Sequence, residues 1–167
     1  MGVLDAEKKY PIRKPTRLKA WDYSKPGYYF VTICTEHKEK CLCSIVGEGL
    51  CALPSVRLTP IGHEVERSIR HIGSLYPTVS VDKYVVMPNH VHIILVLSDN
   101  GAGGHGSPPL HTVVGRLKSF TTKQYGGKLW QRSFHDHIIR GEKDYQRIWN
   151  YIDTNPAKWG EDCFYVP

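Results

Sequence analysis

A chain of 167 residues, 41% hydrophobic and 23% charged, is long enough for one self-supporting core and too apolar to be disordered over most of its length. Lys plus Arg number 22 against 16 Asp plus Glu, a formal net charge of +6, so a polyanionic partner, above all nucleic acid, is expected. No apolar run reaches transmembrane length and the polar, basic start is unlike a signal peptide, which predicts a cytoplasmic protein without membrane contact.

Residues 1–24 carry Lys8, Lys9, Arg13, Lys14, Arg17 and Lys19 without periodicity. They read as a basic arm before a single domain over 25–167. Tyr28-Tyr29-Phe30-Val31-Thr32-Ile33-Cys34 is aromatic and β-branched, the signature of a first strand. Between Cys41 and Leu58, apolar runs broken by Gly47-Glu48-Gly49 suggest a loose hairpin or an irregular loop. Thr59 is a suitable N-cap with Pro60 at the first helical position, and Ile61, Val65, Ile69 and Ile72 continue at helical spacing until near Gly73. Val79–Val86 and His90–Leu97 are strands joined at Met87-Pro88-Asn89, followed by a glycine-rich loop over Asp99–Pro109. His111–Tyr125 is a second helix with Val113, Val114, Leu117 and Phe120 inward. Leu129–Arg140 is extended, and Glu142–Asn155 is a third helix. This order predicts an α+β domain with helices on a mostly antiparallel sheet. The five cysteines, Cys34, Cys41, Cys43, Cys51 and Cys163, form no CxxC pair, so free thiols are expected rather than zinc ligands.

The start of the second of the paired strands, His90-Val91-His92, carries chemistry. Alternation along a strand puts both histidines on one face and Val91 on the other. Such a pair can clamp a divalent ion or be two hydrogen-bonded core histidines, and spacing alone leaves both readings open. The third helix has an apolar stripe of Tyr145, Ile148, Trp149 and Ile152. At ~100° per residue, Tyr151 falls off that stripe, with Asn155 one turn further along the same flank. Tyr151 is then a nucleophile or a boundary tyrosine, and Asn155 a ligand or a helix-ending residue before Pro156. A phenol with its ordinary pKa of ~10 is a poor nucleophile unless its electrophile is activated, as a divalent ion activates a phosphate. Two imidazoles and an amide oxygen suit Mg²⁺ or Mn²⁺, Mn²⁺ being more at ease with imidazole.

Four fragments occur in this order: Met87-Pro88-Asn89-His90-Val91-His92; Gly115-Arg116-Leu117-Lys118-Ser119-Phe120-Thr121-Thr122-Lys123; Trp130-Gln131-Arg132-Ser133-Phe134-His135-Asp136-His137-Ile138-Ile139-Arg140; and Tyr151-Ile152-Asp153-Thr154-Asn155-Pro156. Through them, Gly27 to Trp159 resembles the single-tyrosine transposases of the His-hydrophobic-His nuclease superfamily. These are the IS200-like enzymes and their relatives associated with repetitive extragenic palindromes (REP). The resemblance implies a ferredoxin-like or RRM-like antiparallel sheet with helices packed on one face. It implies His90, His92 and Asn155 as metal ligands, Tyr151 as the nucleophile and Mg²⁺ or Mn²⁺ as cofactor. The implied substrate is single-stranded DNA near hairpins, cut to leave a 5′-phosphotyrosine and a free 3′-OH, in transposition or palindrome processing at the nucleoid. IS200-type enzymes usually carry glutamine at the Asn155 position, and the Asn-Pro form here is closer to the palindrome-associated branch. A monomer is expected, a dimer being the family's alternative. Arg116, Lys118, Lys123, Arg132, His137 and Arg140 are candidates for DNA contact. The alternative function is a non-catalytic, RRM-like single-strand binder that stacks bases on Tyr28, Tyr29 and Phe30.

Overall fold

The computed structural model describes residues 21–47, 54–99 and 107–166. The arm expected over 1–24 lies almost wholly outside the described residues, as do Cys51 and most of the glycine-rich loop. In chain order the elements are β1 (Gly27–Cys34), β2 (Cys43–Val46), β3 (Ser55–Leu58), α1 (Pro60–Arg70), the short α2 (Ile72–Leu75), β4 (Val79–Met87), β5 (His90–Leu97), α3 (Leu110–Tyr125), β6 (His135–Ile139) and α4 (Glu142–Thr154). A 3₁₀ segment, Pro156–Glu161, follows α4.

β1, α1, β4, β5, α3 and β6 form a βαββαβ unit whose four strands lie in the order β4-β5-β1-β6, every neighbouring pair antiparallel. This is the ferredoxin-like sheet. β2 and β3 pair as a separate antiparallel hairpin between β1 and α1, one of the two forms expected for that stretch. Among the described residues no helix is long and apolar enough to cross a membrane.

Local chemistry sets the element ends. The Thr59 hydroxyl oxygen accepts from the Gly62 amide at 3.1 Å, and Pro60 occupies the first turn of α1, where its missing N–H costs nothing. β4 and β5 are joined by Pro88 and Asn89 alone, so Met87 lies opposite His90. That tight turn fixes which way the first histidine of β5 faces.

The sheet is covered on both sides. Tyr29, Val31 and Ile33 of β1 and Val91, Ile93, Leu95 and Leu97 of β5 share a core with Val65 and Ile69 of α1 and Val113, Val114 and Leu117 of α3. The intervening side chains face the other way, where Ile94 packs with Ile148 and Ile152 of α4, bordered by Phe30, Val85, Ile139, Tyr145 and Trp149. Helices on one face thus describes α1 and α3, whereas α4, outside the βαββαβ unit, lies on the opposite face. Burying an aliphatic side chain contributes about 1.5–3 kcal/mol, so Ile148 and Ile152 hold α4 down by a few kcal/mol. Double coverage also explains why β5 reads as a nearly unbroken apolar run, buried from His90 to Leu95. One inward assignment is corrected. Phe120, expected on the inner stripe of α3, is 47% exposed, on the wall of an open cleft with Arg67, His71 and Leu75.

Candidate active site

β1 and β5 pair so that Thr32 lies opposite His92 and Cys34 opposite His90. On the α4 side of the sheet, the two imidazoles converge with their Nε2 atoms 3.0 Å apart. Both histidines are buried, and each is held at its other nitrogen. His90 Nδ1 lies 2.8 Å from Asn89 Oδ1, and His92 Nδ1 lies 2.8 Å from the Thr32 hydroxyl. The Asn89 amide nitrogen donates to the Phe164 carbonyl at 2.9 Å, which fixes the amide's orientation. Its oxygen therefore faces His90 and can only accept, so His90 Nδ1 carries the proton and Nε2 presents a lone pair. Burial drives the His90 pKa down to about 4 against the opposing pull of Asp162. Burial, reinforced by His90, holds His92 well below its ordinary value. Both rings are thus kept neutral, the form that binds a metal ion.

α4 brings Tyr151 to this pair within the same chain. Its hydroxyl is 3.2 Å from His92 Nε2 and donates to Asp162 Oδ2 at 2.8 Å. The Asn155 amide donates to the same carboxylate oxygen at 2.6 Å. A carboxylate only accepts, so the amide nitrogen must face it, and Asn155 Oδ1 is left buried without a hydrogen-bond partner. Burial and then the Asp162 hydrogen bond push the Tyr151 phenol well above its ordinary pKa. The phenol therefore rests protonated, with its O–H given to that carboxylate. Asp162 was not legible as a site residue; it lies in the irregular segment after α4, where no periodicity marks it.

A divalent ion fits the donors. The two Nε2 atoms stand 3.0 Å apart on neutral rings, close enough for one ion to take both. His90, His92 and Asp162 offer ligand atoms all within 4.8 Å of one another. The orphaned Asn155 oxygen is a further donor of the kind that Mg²⁺ and Mn²⁺ accept.

Beside the histidines opens a cleft of about 420 Å³, with Phe30, His137, Arg147, Tyr151 and Phe164 among its walls. The Phe30 ring lies 5.2 Å from that of His92 and 6.1 Å from that of Tyr151, centroid to centroid. Phe164 covers the other side, 4.8 Å from the His90 ring.

No protein-family model matches the chain. An uncharacterised Haemophilus influenzae protein is 30% identical over 174 residues, covering 92% of this chain and 93% of its own. The Escherichia coli K12 REP-associated tyrosine transposase is 33% identical over 81 residues, 48% of this chain and 46% of its own. The solved structure of a REP-associated tyrosine transposase bound to a REP hairpin superimposes with a TM-score of 0.63 at 23% identity, covering 86% of this chain and 74% of that one. The chain belongs to the REP-associated tyrosine transposase family. Its α+β fold, with an antiparallel four-stranded sheet, is that of the solved REP-associated transposase.

Within this transposase fold, the residues singled out for DNA contact scatter. His137 stands on the cleft wall, with Nε2 2.7 Å from Asp144 Oδ2. Arg140 is exposed near the start of α4, its guanidinium 5.6 Å from the Trp21 ring centre. Arg132 is exposed on the segment leading to β6. Arg116 and Lys123 are exposed on α3, on the far side of the sheet from the histidines. Lys118 points inward. Its ammonium donates to the carbonyls of Gln131, Arg132 and Ser133 at 2.5, 3.1 and 3.3 Å, so it pins the segment before β6. Of the three aromatics weighed as a stacking platform, Tyr29 is fully buried with its hydroxyl on the Lys25 carbonyl. Tyr28 packs edge-on against Tyr145, and Phe30 alone faces the cleft.

Proposed function

We propose that the protein is a metal-dependent single-stranded DNA endonuclease and strand transferase that acts beside DNA hairpins through a covalent phosphotyrosine. The observation that carries this reading is the Tyr151 hydroxyl, 3.2 Å from the Nε2 of His92 and 2.8 Å from a carboxylate, in one chain. His90 and His92 would hold Mg²⁺ or Mn²⁺, with Asn155 and Asp162 as the oxygen donors at hand. When bound, the ion polarises a phosphate oxygen and stabilises the charge that develops at phosphorus.

The chain's own groups do the rest. Tyr151 Oη attacks the scissile phosphorus and its proton passes to Asp162. The bond from phosphorus to the 3′ oxygen breaks and that oxygen takes a proton from solvent water, leaving a free 3′-OH and DNA joined to Tyr151 through its 5′-phosphate. The phosphotyrosine conserves the energy of the broken diester, so the reverse attack by a 3′-OH rejoins the strand without ATP. Phe30 offers a flat apolar surface beside the nucleophile for a base of the bound strand. The hairpin partner is supported by the solved relative, which was captured on a REP hairpin.

The test is a labelled hairpin oligonucleotide with a single-stranded flank, incubated with Mg²⁺ or Mn²⁺. A denaturation-resistant protein–DNA adduct is expected with the native chain and none with Tyr151→Phe. Binding without any adduct, across substrates and both metals, would sink the nuclease reading.

A further inference from the structure

Arg147 sits on α4 one turn before Tyr151, so Arg147, Tyr151 and Asn155 repeat every four residues along one flank of the helix. We propose that Arg147 is a phosphate-binding residue of the cleft and that Asp144 is the positioning residue that aims it. This rests on the reading of the cleft as the site that takes a single strand.

The geometry carries the inference in three steps. First, Arg147 lines the same cleft as Tyr151, His92 and Phe30, and among the described residues that form its walls it is the one permanent cation. The same region presents the carboxylates Asp136 and Asp162, which repel a phosphodiester. A polyanionic strand entering there needs a fixed positive charge.

Second, Asp144 has more partners than a surface ion pair requires. It accepts from Arg147 at 2.7 Å, from His137 Nε2 at 2.7 Å and from the Arg140 backbone N–H at 3.1 Å. The hydrogen bonds from His137 and Arg147 hold its carboxyl far below the ordinary range. Three donors on one carboxylate fix its orientation, and with it the direction of the guanidinium. An isolated exposed pair adds ~1 kcal/mol or less to stability, which makes stability a weak reason for the arrangement.

Third, the Arg147 side chain is 69% exposed, with one terminal nitrogen on Asp144. A guanidinium offers five N–H donors in a rigid fork, so the remainder is open to a phosphate. One helical turn is ~5.4 Å along the axis, comparable with the step between successive phosphates of an extended strand. A strand held at Arg147 therefore runs along the same flank of α4, in the same cleft, as Tyr151.

The experiment is fluorescence anisotropy of a labelled hairpin with a single-stranded thymidine tail. It is read in EDTA across about 50 to 200 mM salt, with adduct formation in Mn²⁺ measured in parallel. Arg147→Ala is expected to bind several-fold more weakly, with a salt slope shallower by about 0.7, the share of one phosphate contact on a single strand. Arg147→Lys is expected to restore the slope while recovering only part of the adduct rate, because an ammonium lacks the fork. Asp144→Asn is expected to keep the slope and slow adduct formation. Native slope and affinity in Arg147→Ala overturn the proposal, as does a loss that Arg147→Lys leaves wholly unrepaired. The two readings separate cleanly. A Tyr151-dependent adduct with an unaltered Arg147→Ala sinks only the clamp, and a shallower slope without any adduct sinks only the nuclease.

Discussion

Replacing Thr32 by valine removes one hydroxyl and nearly preserves the side chain's shape. Thr32 is 3% exposed, and its hydroxyl is 2.8 Å from His92 Nδ1. Losing an ordinary hydrogen bond costs about 0.5–1.5 kcal/mol, and leaving a buried nitrogen without a partner raises this to about 1–3 kcal/mol. For a chain of 167 residues, each kcal/mol moves Tm by about 2–4 °C, so the metal-free variant should melt about 2–12 °C lower. The second effect is on the clamp. An imidazole whose outer nitrogen has lost its partner is no longer fixed in ring orientation or tautomer, and such losses weaken metal binding by about 10- to 100-fold, or about 1.4–2.8 kcal/mol. Calorimetric titration with Mn²⁺ reads this directly, while thermal melts in EDTA read the stability term. Thr32→Ser keeps the hydroxyl and gives up a methyl group, so it should bind Mn²⁺ like the native chain even if it melts lower. A valine variant that melts lower yet binds Mn²⁺ with native affinity would refute the reasoning, since the hydroxyl would then serve the fold alone.

Four further outcomes follow from the contacts. Lys118→Met should lose stability by about 1.5–3 kcal/mol, the scale of a hydrogen bond from a charged donor, with the salt slope of DNA binding unmoved; a shallower slope would return Lys118 to the DNA surface. Gly62→Ala should fail to fold or melt far lower, because a Cβ there overlaps the Leu42 carbonyl; a native melting curve would contradict the close approach of α1 to the backbone at Leu42. Cys163 is exposed, whereas burial pushes the Cys34 thiol to about 11 and that of Cys43 to about 12. A thiol reagent at mildly alkaline pH should therefore label Cys163 before Cys34 and Cys43, which react only after unfolding, as peptide mapping would show. Asp144 has a folded-state pKa below its unfolded value, so its stabilisation is full above about pH 4 and fades as the pH falls further. Denaturant titrations between neutral and acid pH should show Asp144→Asn less acid-sensitive than the native chain, and parallel curves would count against the network.

What was legible in the sequence was whatever local periodicity controls. The Thr59-Pro60 start of α1, the β4-turn-β5 pair and the helical stripe of α4 follow from caps, alternation and the 3.6-residue repeat, and the structure reproduces them nearly to the residue. The convergence of Tyr151 on His92 was foreshadowed by the off-stripe angle of that tyrosine. Three features were not legible, each for its own reason. Amphipathicity says that α4 buries a face, but not which side of the sheet receives it. Asp162 reaches Tyr151 and Asn155 only because the chain folds back through the Pro156–Glu161 segment, and a spacing of seven residues across that break has no helical meaning. Lys118 looks outward in a helical projection, yet three carbonyls of residues 131–133 draw its flexible stem inward.

The meeting of Tyr151 and the two histidines within one chain is a consequence of a very short connection. β6 ends at Ile139 and α4 begins at Glu142, which leaves Arg140 and Gly141 to reverse the chain. At ~3.6 Å per residue at most, that link cannot carry α4 away from its own sheet, so the helix must land beside β6 and β1. Gly141 has φ 86° and ψ 167°, a region essentially closed to residues with a Cβ. Asp144 then accepts the Arg140 amide at 3.1 Å and ties the first turn of α4 to the strand end. From there the helical repeat does the rest. Ile148 and Ile152 seat against Ile94, and the flank one step round brings Tyr151 over His92. The distance from the Tyr151 hydroxyl to the imidazole is thus fixed by a two-residue turn and a pair of isoleucines, and association between copies of the chain is not needed to set it.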